Sequence, residues 1–149
     1  MLHLAAPMHD LGKLGISDEI LNKPAKLTTT EFDIMKMHSI IGHDMLKGSE
    51  LTMLKAAAII AKEHHERYDG KGYPRGLRGE EIHIFSRITG IADVFDALAC
   101  DRVYKKAWPL EQIIEYFHEN KGCQFDPLLV DLFFANFDEF LLIKEKFAD

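Results

Sequence analysis

The chain has 149 residues, two cysteines and a formal net charge of −6, with 47% hydrophobic and 28% charged residues. This composition is typical of one folded domain and excludes a disordered chain. The acidic balance argues against a general nucleic-acid binder, which usually carries a basic face. Two cysteines are too few for a disulfide scaffold, so we expect a cytoplasmic protein. No apolar run reaches the roughly 18 residues of a membrane span, and no signal peptide is recognisable.

The first half of the chain predicts helices joined by short polar connections. A helix over residues 2–13 ends near Gly12, which we interpret as a left-handed stop. A connector over 16–27 follows. Thr28 and Glu31 have the spacing of a capping box, so a second helix is predicted over 28–47. A third helix is predicted over 51–66.

The second half begins with a long loop. Residues 67–81 contain four glycines and Pro74, and so long a loop in a compact domain usually serves function. A helix is predicted over 85–100, and Pro109 suits the first turn of the next one. Asp126 and Pro127 suit the cap and first turn of the last helix. Because no strand-like alternation is present, we predict an all-α fold, a bundle of about five to seven helices.

Helix periodicity indicates which histidines face inward. At about 100° per residue, His38 falls in the middle of the apolar face of helix 28–47, whereas His43 falls on the solvated face. The apolar face is formed by Ile34, Met35, Ile41, Met45 and Leu46. His38 is therefore predicted to be buried and His43 to be solvated.

The same arithmetic places two adjacent histidines in helix 51–66. His64 and His65 flank a face of small alanines, and Glu63 and Glu66 fall on the solvated side. The alanines would let a neighbouring helix approach closely. In helix 85–100, Asp93 lies among small residues on a second face that is not solvated.

A lone inward histidine is usually a hydrogen-bonded core residue, and a buried carboxylate is costly unless it is paired or bound to metal. Several such residues together favour one shared cause. Nitrogen and carboxylate ligands suit Fe, Mn, Zn or Ni, and the lack of thiolates favours a catalytic site with open positions. Six candidates exceed the need of one ion, so we predict at least a dinuclear centre. They are His9, Asp10, His38, His64, His65 and Asp93.

Four stretches, taken in order and spacing, match one family. "HDLGKLGISDEILNKPAKLT", "MKMH", "HHERYDGKGYPRGLRGEEI" and "IADVFDALACDRVYKKAW" resemble the HD-GYP phosphodiesterases. The resemblance implies an all-helical domain that hydrolyses cyclic di-GMP, a bacterial second messenger, to pGpG or GMP. It also implies two or three divalent transition-metal ions, Fe or Mn first, with Zn or Ni as alternatives.

The resemblance also implies residue roles. The six metal-ligand candidates match the ligand positions of the family. Lys13 matches a lysine that contacts the scissile phosphate, and together with Asp10 it is the implied catalytic pair. The loop that gives the family its name corresponds to Gly72, Tyr73 and Pro74, of which Tyr73 is able to pack on a guanine. Arg102 and Lys105 match basic ligand-binding positions. The alternatives are a solvated helix end for the three basic residues and a gap-filling role for Tyr73.

Family sites usually take a further histidine, and often a glutamate, from an upstream helix. We therefore expect residues 1–149 to form a single HD-GYP domain lacking its first helix, with little or no turnover. His3 lies on the same element as His9 and is no replacement. The implied partners are cyclic di-GMP, an upstream receiver or sensory domain and a GGDEF-domain protein. A homodimer would cover apolar surface that the missing helix leaves exposed.

Two other functions stay open at this point. One is an HD-type nucleotide phosphohydrolase that acts on mononucleotides, against which the "GKGYPRG" and "DRVYKK" segments argue. The other is an inactive module that binds cyclic di-GMP or a partner protein.

Overall fold

A computed structural model describes residues 1–101 and 106–146 of the chain. The all-α prediction is confirmed, although the chain forms more and shorter helices than expected. Within the described residues no β-sheet is present, and two isolated bridges pair Asp69 with Arg78 and Lys121 with Phe125. The helices are α1 (Leu2–Ala5), α2 (Asp18–Leu21), α3 (Thr29–Lys36), α4 (His38–Leu46), α5 (Thr52–Glu63), α6 (Ile84–Ala99), α7 (Leu110–Glu119), α8 (Pro127–Ala135) and α9 (Phe137–Lys146).

Two apolar clusters form the core. One joins α1, α4 and α5 around the fully buried Ala57, Ile60 and Ala61. The other joins α6, α7 and α8 around Phe117 and Val130. α5 and α6 pack against each other and so join the two clusters. His64 and His65 directly follow α5, and Asp93 lies on α6. Among the described helices, none is both long and apolar enough to cross a membrane.

The prediction of one continuous helix over residues 2–13 is wrong. After α1 the chain forms a short 3₁₀ helix (Ala6–Met8), a turn at His9 and Asp10, and a second 3₁₀ helix (Leu11–Gly15). Gly12 is not a left-handed stop, because it is absent from the residues with positive φ. It is needed for a close approach instead: a Cβ there would lie 1.9 Å from the carbonyl oxygen of His38.

The helix predicted over 28–47 is interrupted at Met37. The capping box of Thr28 and Glu31 is present, with Glu31 N–H donating to Thr28 Oγ1 at 3.3 Å. The N–H of Met37 bonds the carbonyl three residues back, at Ile34, so one helical phase does not run through the segment. Two residues predicted to face inward are exposed instead. Ile34 is 43% exposed on a helix without a buried residue, and Met45 is 52% exposed near the end of α4.

The later helices begin close to where the sequence predicts. α6 starts one residue early, and the side chain of His83 caps it by accepting from Phe85 N–H at 3.1 Å. Asp126 caps α8 by accepting from Leu128 N–H at 2.9 Å, with Pro127 as the first helical residue. α6 brings Asp93 to the turn at His9, where Asp93 Oδ1 lies 3.6 Å from His9 Nε2.

Candidate metal centre

Side chains from three separate segments meet at one point. Asp10 lies in the turn between the two 3₁₀ helices, His38 is the first residue of α4, and His64 and His65 directly follow α5. One ligand atom from each of these four residues lies within 4.8 Å of the others. The Nε2 atoms of His38 and His64 are 3.4 Å apart, and Asp10 Oδ1 lies 3.5 Å and 3.8 Å from them.

His9 and Asp93 adjoin this group. His9 Nε2 lies 3.3 Å from Asp10 Oδ2 and 3.6 Å from Asp93 Oδ1, which α6 contributes. The His9 and His64 rings are 5.0 Å apart, centre to centre. The structure therefore brings all six ligand candidates together, and their role as ligands stays a prediction.

Backbone carbonyls hold three of the imidazole rings from behind. His9 Nδ1 lies 2.8 Å from Ala6 O, and His38 Nδ1 lies 2.6 Å from Met35 O. His64 Nδ1 contacts the carbonyls of Ile60 and Ala61, both at 3.0 Å. A carbonyl accepts only from a protonated Nδ1, so in a neutral ring the lone pair is on Nε2, which faces the cluster. This arrangement is typical of histidines that bind metal.

Two buried atoms at the centre have no hydrogen-bond partner among the described residues. They are His9 Nε2 and Asp10 Oδ1. Buried polar atoms are normally satisfied, so orphans at a single point indicate a missing partner. A divalent transition metal fits, because its preferred donors are the imidazole nitrogens and carboxylate oxygens that are present.

The charge on His9 differs from that on its neighbours. Burial lowers the pKa of His9, but the neighbouring carboxylates of Asp10 and Asp93 outweigh it and raise that pKa to about 10. Burial opposes ionisation of Asp10, yet His9 and Lys13 hold the pKa of this carboxyl well below its usual range. The pKa of Asp93 is lowered in the same way by His9. Without metal, His9 is therefore an imidazolium between two carboxylates.

The other three histidines are neutral at physiological pH. Burial lowers the pKa of His64 to about 4 and of His65 to about 3, and nearby histidines lower both further. Burial also lowers the pKa of His38. A neutral imidazole keeps the lone pair that coordinates metal, so these rings can bind an ion without first losing a proton.

Lys13 lies at the edge of the cluster. Its Nζ donates to Asp10 Oδ2 at 2.6 Å. The helix predicted over residues 2–13 would place Lys13 and His9 on nearly one face, but no continuous helix joins them. The contact arises from the three-residue spacing between Asp10 and Lys13 across the second 3₁₀ helix.

The glycine-rich loop closes over the histidine pair. The Tyr73 ring stacks on the His65 ring with centroids 4.9 Å apart, and Tyr73 N–H donates to His65 O at 3.3 Å. Gly72 is required here, because a Cβ would lie 2.3 Å from Arg67 N. Gly72 therefore allows the loop backbone to pack closely against the backbone that follows α5. Pro74 follows through a cis peptide bond. Arg102 and Lys105 lie outside the described residues.

The helical period gave a wrong prediction of burial for two acidic residues that hold the loop. Glu63 and Glu66, predicted to be solvated, are only 7% and 8% exposed. Glu66 accepts from the N–H groups of Arg75 at 2.7 Å and Leu77 at 2.9 Å. Glu63 accepts from His83 N–H at 2.8 Å and from the guanidinium of Arg75. Their positions on either side of His64 and His65, directly before the loop, are the sequence feature that could have indicated this role.

Four histidines lie outside the cluster. His3 and His118 are exposed, and His83 lies before α6. The prediction that His43 is solvated is wrong. It is half-buried, with Nδ1 3.0 Å from Ala58 O, because α4 packs against α5 along this side.

A cavity of about 490 Å³ opens beside the cluster. His64, His65 and Asp93 line one part of it, together with Tyr73 and Phe32. The volume is within the range of small-molecule sites, and the cavity borders the candidate ligands directly. A ligand in this cavity would contact both the metal cluster and the loop.

Residues 1–129 match the family model of the HD domain. The chain belongs to the HD domain family. This HD domain is also similar to several characterised phosphodiesterases, so the resemblance to the HD-GYP enzymes is confirmed.

Three curated relatives illustrate the similarity. The cyclic di-GMP phosphodiesterase response regulator RpfG of Xanthomonas campestris pv. campestris is 48% identical over 131 residues, covering 88% of this chain and 35% of the relative. The 3′3′-cGAMP-specific phosphodiesterase 2 of Vibrio cholerae is 46% identical, covering 100% and 28%. A cyclic di-GMP phosphodiesterase of Thermotoga maritima is 46% identical, covering 89% and 36%. This HD domain thus spans about a third of the length of these relatives.

The fold is also found in a solved structure. The cyclic GMP-AMP-specific phosphodiesterase V-cGAP3 of V. cholerae superposes with a TM-score of 0.64 at 20% identity. The match covers 95% of this chain and 38% of the other. At this identity the likeness shows that the helical architecture is shared.

Proposed function

We propose that this HD domain hydrolyses a phosphodiester bond of a cyclic dinucleotide, cyclic di-GMP in the first place, with the help of divalent metal ions. The observation that carries the proposal is the convergence of six histidine and aspartate side chains beside a cavity. The names of its relatives support the substrate class.

Two or three ions would be held by His9, Asp10, His38, His64 and His65, with Asp93 as the sixth ligand. Fe or Mn is the proposed metal, with Zn or Ni as alternatives, since all four accept this donor set. Bound ions supply Lewis acidity, which activates water and neutralises charge on a phosphate.

The protein's own groups would position the substrate. Lys13 offers an ammonium next to Asp10, within reach of a phosphate bound at the cluster, where it offsets developing negative charge. Tyr73 presents a ring at the cavity wall. Burial and the carboxylates of Asp10 and Asp93 raise the pKa of its hydroxyl, which stays a hydrogen-bond donor. Arg102 and Lys105 are proposed to add positive charge for the second phosphate.

A second candidate substrate is 3′3′-cGAMP. It is supported by the V. cholerae relative named as specific for it, which aligns over 149 residues. Both molecules present the same phosphodiester to the metal cluster and differ in one purine. Substrate choice would therefore depend on the loop and the cavity wall.

The test measures binding and turnover together on the metal-loaded chain. Cyclic di-GMP, 3′3′-cGAMP and a panel of mononucleotides are incubated with Fe²⁺ or Mn²⁺, and pGpG and GMP are separated by chromatography. Turnover by residues 1–149 was expected to be low, yet all six candidate ligands converge, so we expect detectable hydrolysis of a cyclic dinucleotide. His38→Ala should reduce it at least about 100-fold and His118→Ala should leave it unchanged, since His38 is buried in the cluster and His118 is exposed.

Other outcomes discriminate between the alternatives. Turnover of mononucleotides alone would favour a nucleotide phosphohydrolase. Binding of cyclic di-GMP with no turnover, in this chain and in a longer one, would favour an inactive binding module. Failure to bind any metal or any cyclic dinucleotide would contradict the proposal.

The proposed macromolecular partners are an upstream receiver or sensory domain, a GGDEF-domain protein and a second copy of the chain. A homodimer has a surface available, since Leu132 on α8 and Ile143 on α9 are 52% and 56% exposed and line an apolar groove beside α6. Sedimentation velocity would detect it.

A further inference from the structure

An exposed aromatic residue on α3 continues the ring stack that begins at the candidate metal centre. His65 stacks on Tyr73 with a 4.9 Å centroid separation and a 30° angle between the planes. Tyr73 in turn meets Phe32 edge to face, with centroids 6.4 Å apart. Three rings therefore lead from the cluster to the rim of the cavity, and Phe32 is the outermost of them.

Phe32 does not serve the core. It is 47% exposed, and neither of the two apolar clusters formed by the described residues includes it. α3 as a whole has no buried residue. A half-exposed phenylalanine at the rim of a cavity with both apolar and charged lining residues is available to a ligand with an aromatic face.

Positive charge accompanies this ring. Lys36, one turn further along α3, places Nζ 5.3 Å from the Phe32 centroid and 5.9 Å from the Tyr73 centroid. Its Nζ also pairs with Asp33 at 2.5 Å, which holds the side chain in place. An aromatic ring beside a cation is the surface that binds nucleobases and their phosphates in proteins for single-stranded nucleic acids.

We propose that Phe32 is the stacking platform for one purine of the dinucleotide, and that Lys36 supports it. This inference rests on the proposed function, because it concerns the substrate that the metal cluster would cut. With the phosphate at the cluster, the base on the adjoining ribose would extend into the cavity, where Tyr73 and Phe32 present their rings. Phe32 acts on binding and not on the bond-breaking step.

The experiment compares Phe32→Ala with Ile34→Ala, a second exposed apolar residue on α3 that does not line the cavity. For each variant we measure Kd, KM and kcat with cyclic di-GMP, and the inhibition constant of inorganic phosphate, which needs only the metal cluster. Phe32→Trp restores a ring. Circular dichroism and the melting temperature report whether each variant folds.

We expect Phe32→Ala to raise Kd and KM about tenfold or more, the range of a lost base–aromatic stack. kcat and phosphate inhibition stay within about twofold, and Phe32→Trp and Ile34→Ala behave as the unmodified protein. Equal Kd and KM in Phe32→Ala and Ile34→Ala would overturn the inference, as would a loss confined to kcat. If the unmodified chain binds cyclic di-GMP without cutting it, Kd alone decides. A chain that neither binds nor hydrolyses cyclic di-GMP would overturn both this inference and the proposed function.

Discussion

Gly12 shows at the scale of one residue how the fold positions the cluster. The turn that carries His9 and Asp10 lies directly against α4, so a Cβ on Gly12 would be 1.9 Å from His38 O and 2.4 Å from Gly42 N. All the atoms in the way belong to backbone, which cannot rotate aside. The contact sets the distance between Asp10 and His38.

We therefore expect Gly12→Ala to destabilise the protein by about 2 kcal/mol or more, the cost of overpacking against a rigid neighbour. Gly48→Ala is the matched control, because nothing lies within 4 Å of its added Cβ. Urea unfolding monitored by circular dichroism measures both. Equal stability of the two variants would show that the turn does not pack as described.

The protonated state of His9 leads us to expect that metal binding releases a proton. The raised pKa of His9, about 10, means that it carries a proton near neutral pH which a metal must displace. The lowered pKa values of His64 and His65 mean that these rings release none. Near pH 7 the unmodified chain should release about one more proton per chain than His9→Ala.

Calorimetric titration with Mn²⁺ in buffers of different ionisation enthalpy counts these protons. His3→Ala, which changes an exposed histidine outside the cluster, should release as many as the unmodified chain. Identical release from His9→Ala and the unmodified chain would contradict the assignment of the charge to His9.

At the scale of elements, the end of α5 and the loop after it act as a unit. Both carboxylate oxygens of Glu66 accept backbone N–H groups of the loop, from Arg75 and Leu77. In Glu66→Gln one of these oxygens becomes an amide nitrogen, which faces an N–H donor that it cannot accept. We expect the loop to open more often, with amide exchange over 72–79 faster by roughly tenfold or more.

Hydrogen exchange followed by mass spectrometry measures this effect, and Glu80→Gln, an exposed change in the same segment, is the control. If both variants exchange like the unmodified chain, Glu66 does not hold the loop. Faster exchange in Glu66→Gln without loss of bound metal would show that Glu66 positions the loop and is not needed for metal binding.

The same elements show how far sequence reasoning reached. Start signals were reliable: the Thr28 capping box and the Asp126 cap are local hydrogen-bonding arrangements, visible in a few consecutive residues. Interruptions were not predicted. α5 ends at Glu63, so Glu66 lies beyond the region where a 100° step applies, and its burial follows from loop amides nine and eleven residues further along the chain. The break between α3 and α4 at Met37 has no signal in the sequence either.

The candidate ligands were found despite these errors. His38 was predicted to be buried and is 1% exposed, although α4 starts there and two of the apolar residues used to place it, Ile34 and Met45, are exposed. His9 and Asp10 were candidates by residue type, whereas the role of Lys13 came from the resemblance. The continuous helix over 2–13 that would place Lys13 on the face of His9 does not form. The pairing of residues across segments, such as Asp93 with His9, depends on tertiary contacts that periodicity does not contain.

For the molecule as a whole, metal should contribute to stability. A ligand that binds only the folded state at 100 times its Kd adds about 2.7 kcal/mol, which is about 5–10 °C in Tm for a chain of this size. We expect Mn²⁺ to raise Tm by this amount and chelation to reverse it. Differential scanning calorimetry measures the shift.

His38→Ala should abolish most of this shift, since it removes a ligand at the centre of the cluster. His118→Ala removes an exposed ring that stacks on Phe134, so it should lower Tm slightly while keeping the Mn²⁺-dependent rise. A rise of equal size in both variants would place the metal elsewhere in the molecule.

The central claim is that residues from separated segments hold divalent ions at one point. Anomalous diffraction from a crystal grown with Mn²⁺ tests it most directly. The account predicts anomalous peaks at about 2.0–2.3 Å from Asp10 oxygens and the Nε2 atoms of His38 and His64. Anomalous peaks only at other places on the molecule, or none in a crystal of the folded chain at saturating Mn²⁺, would contradict it.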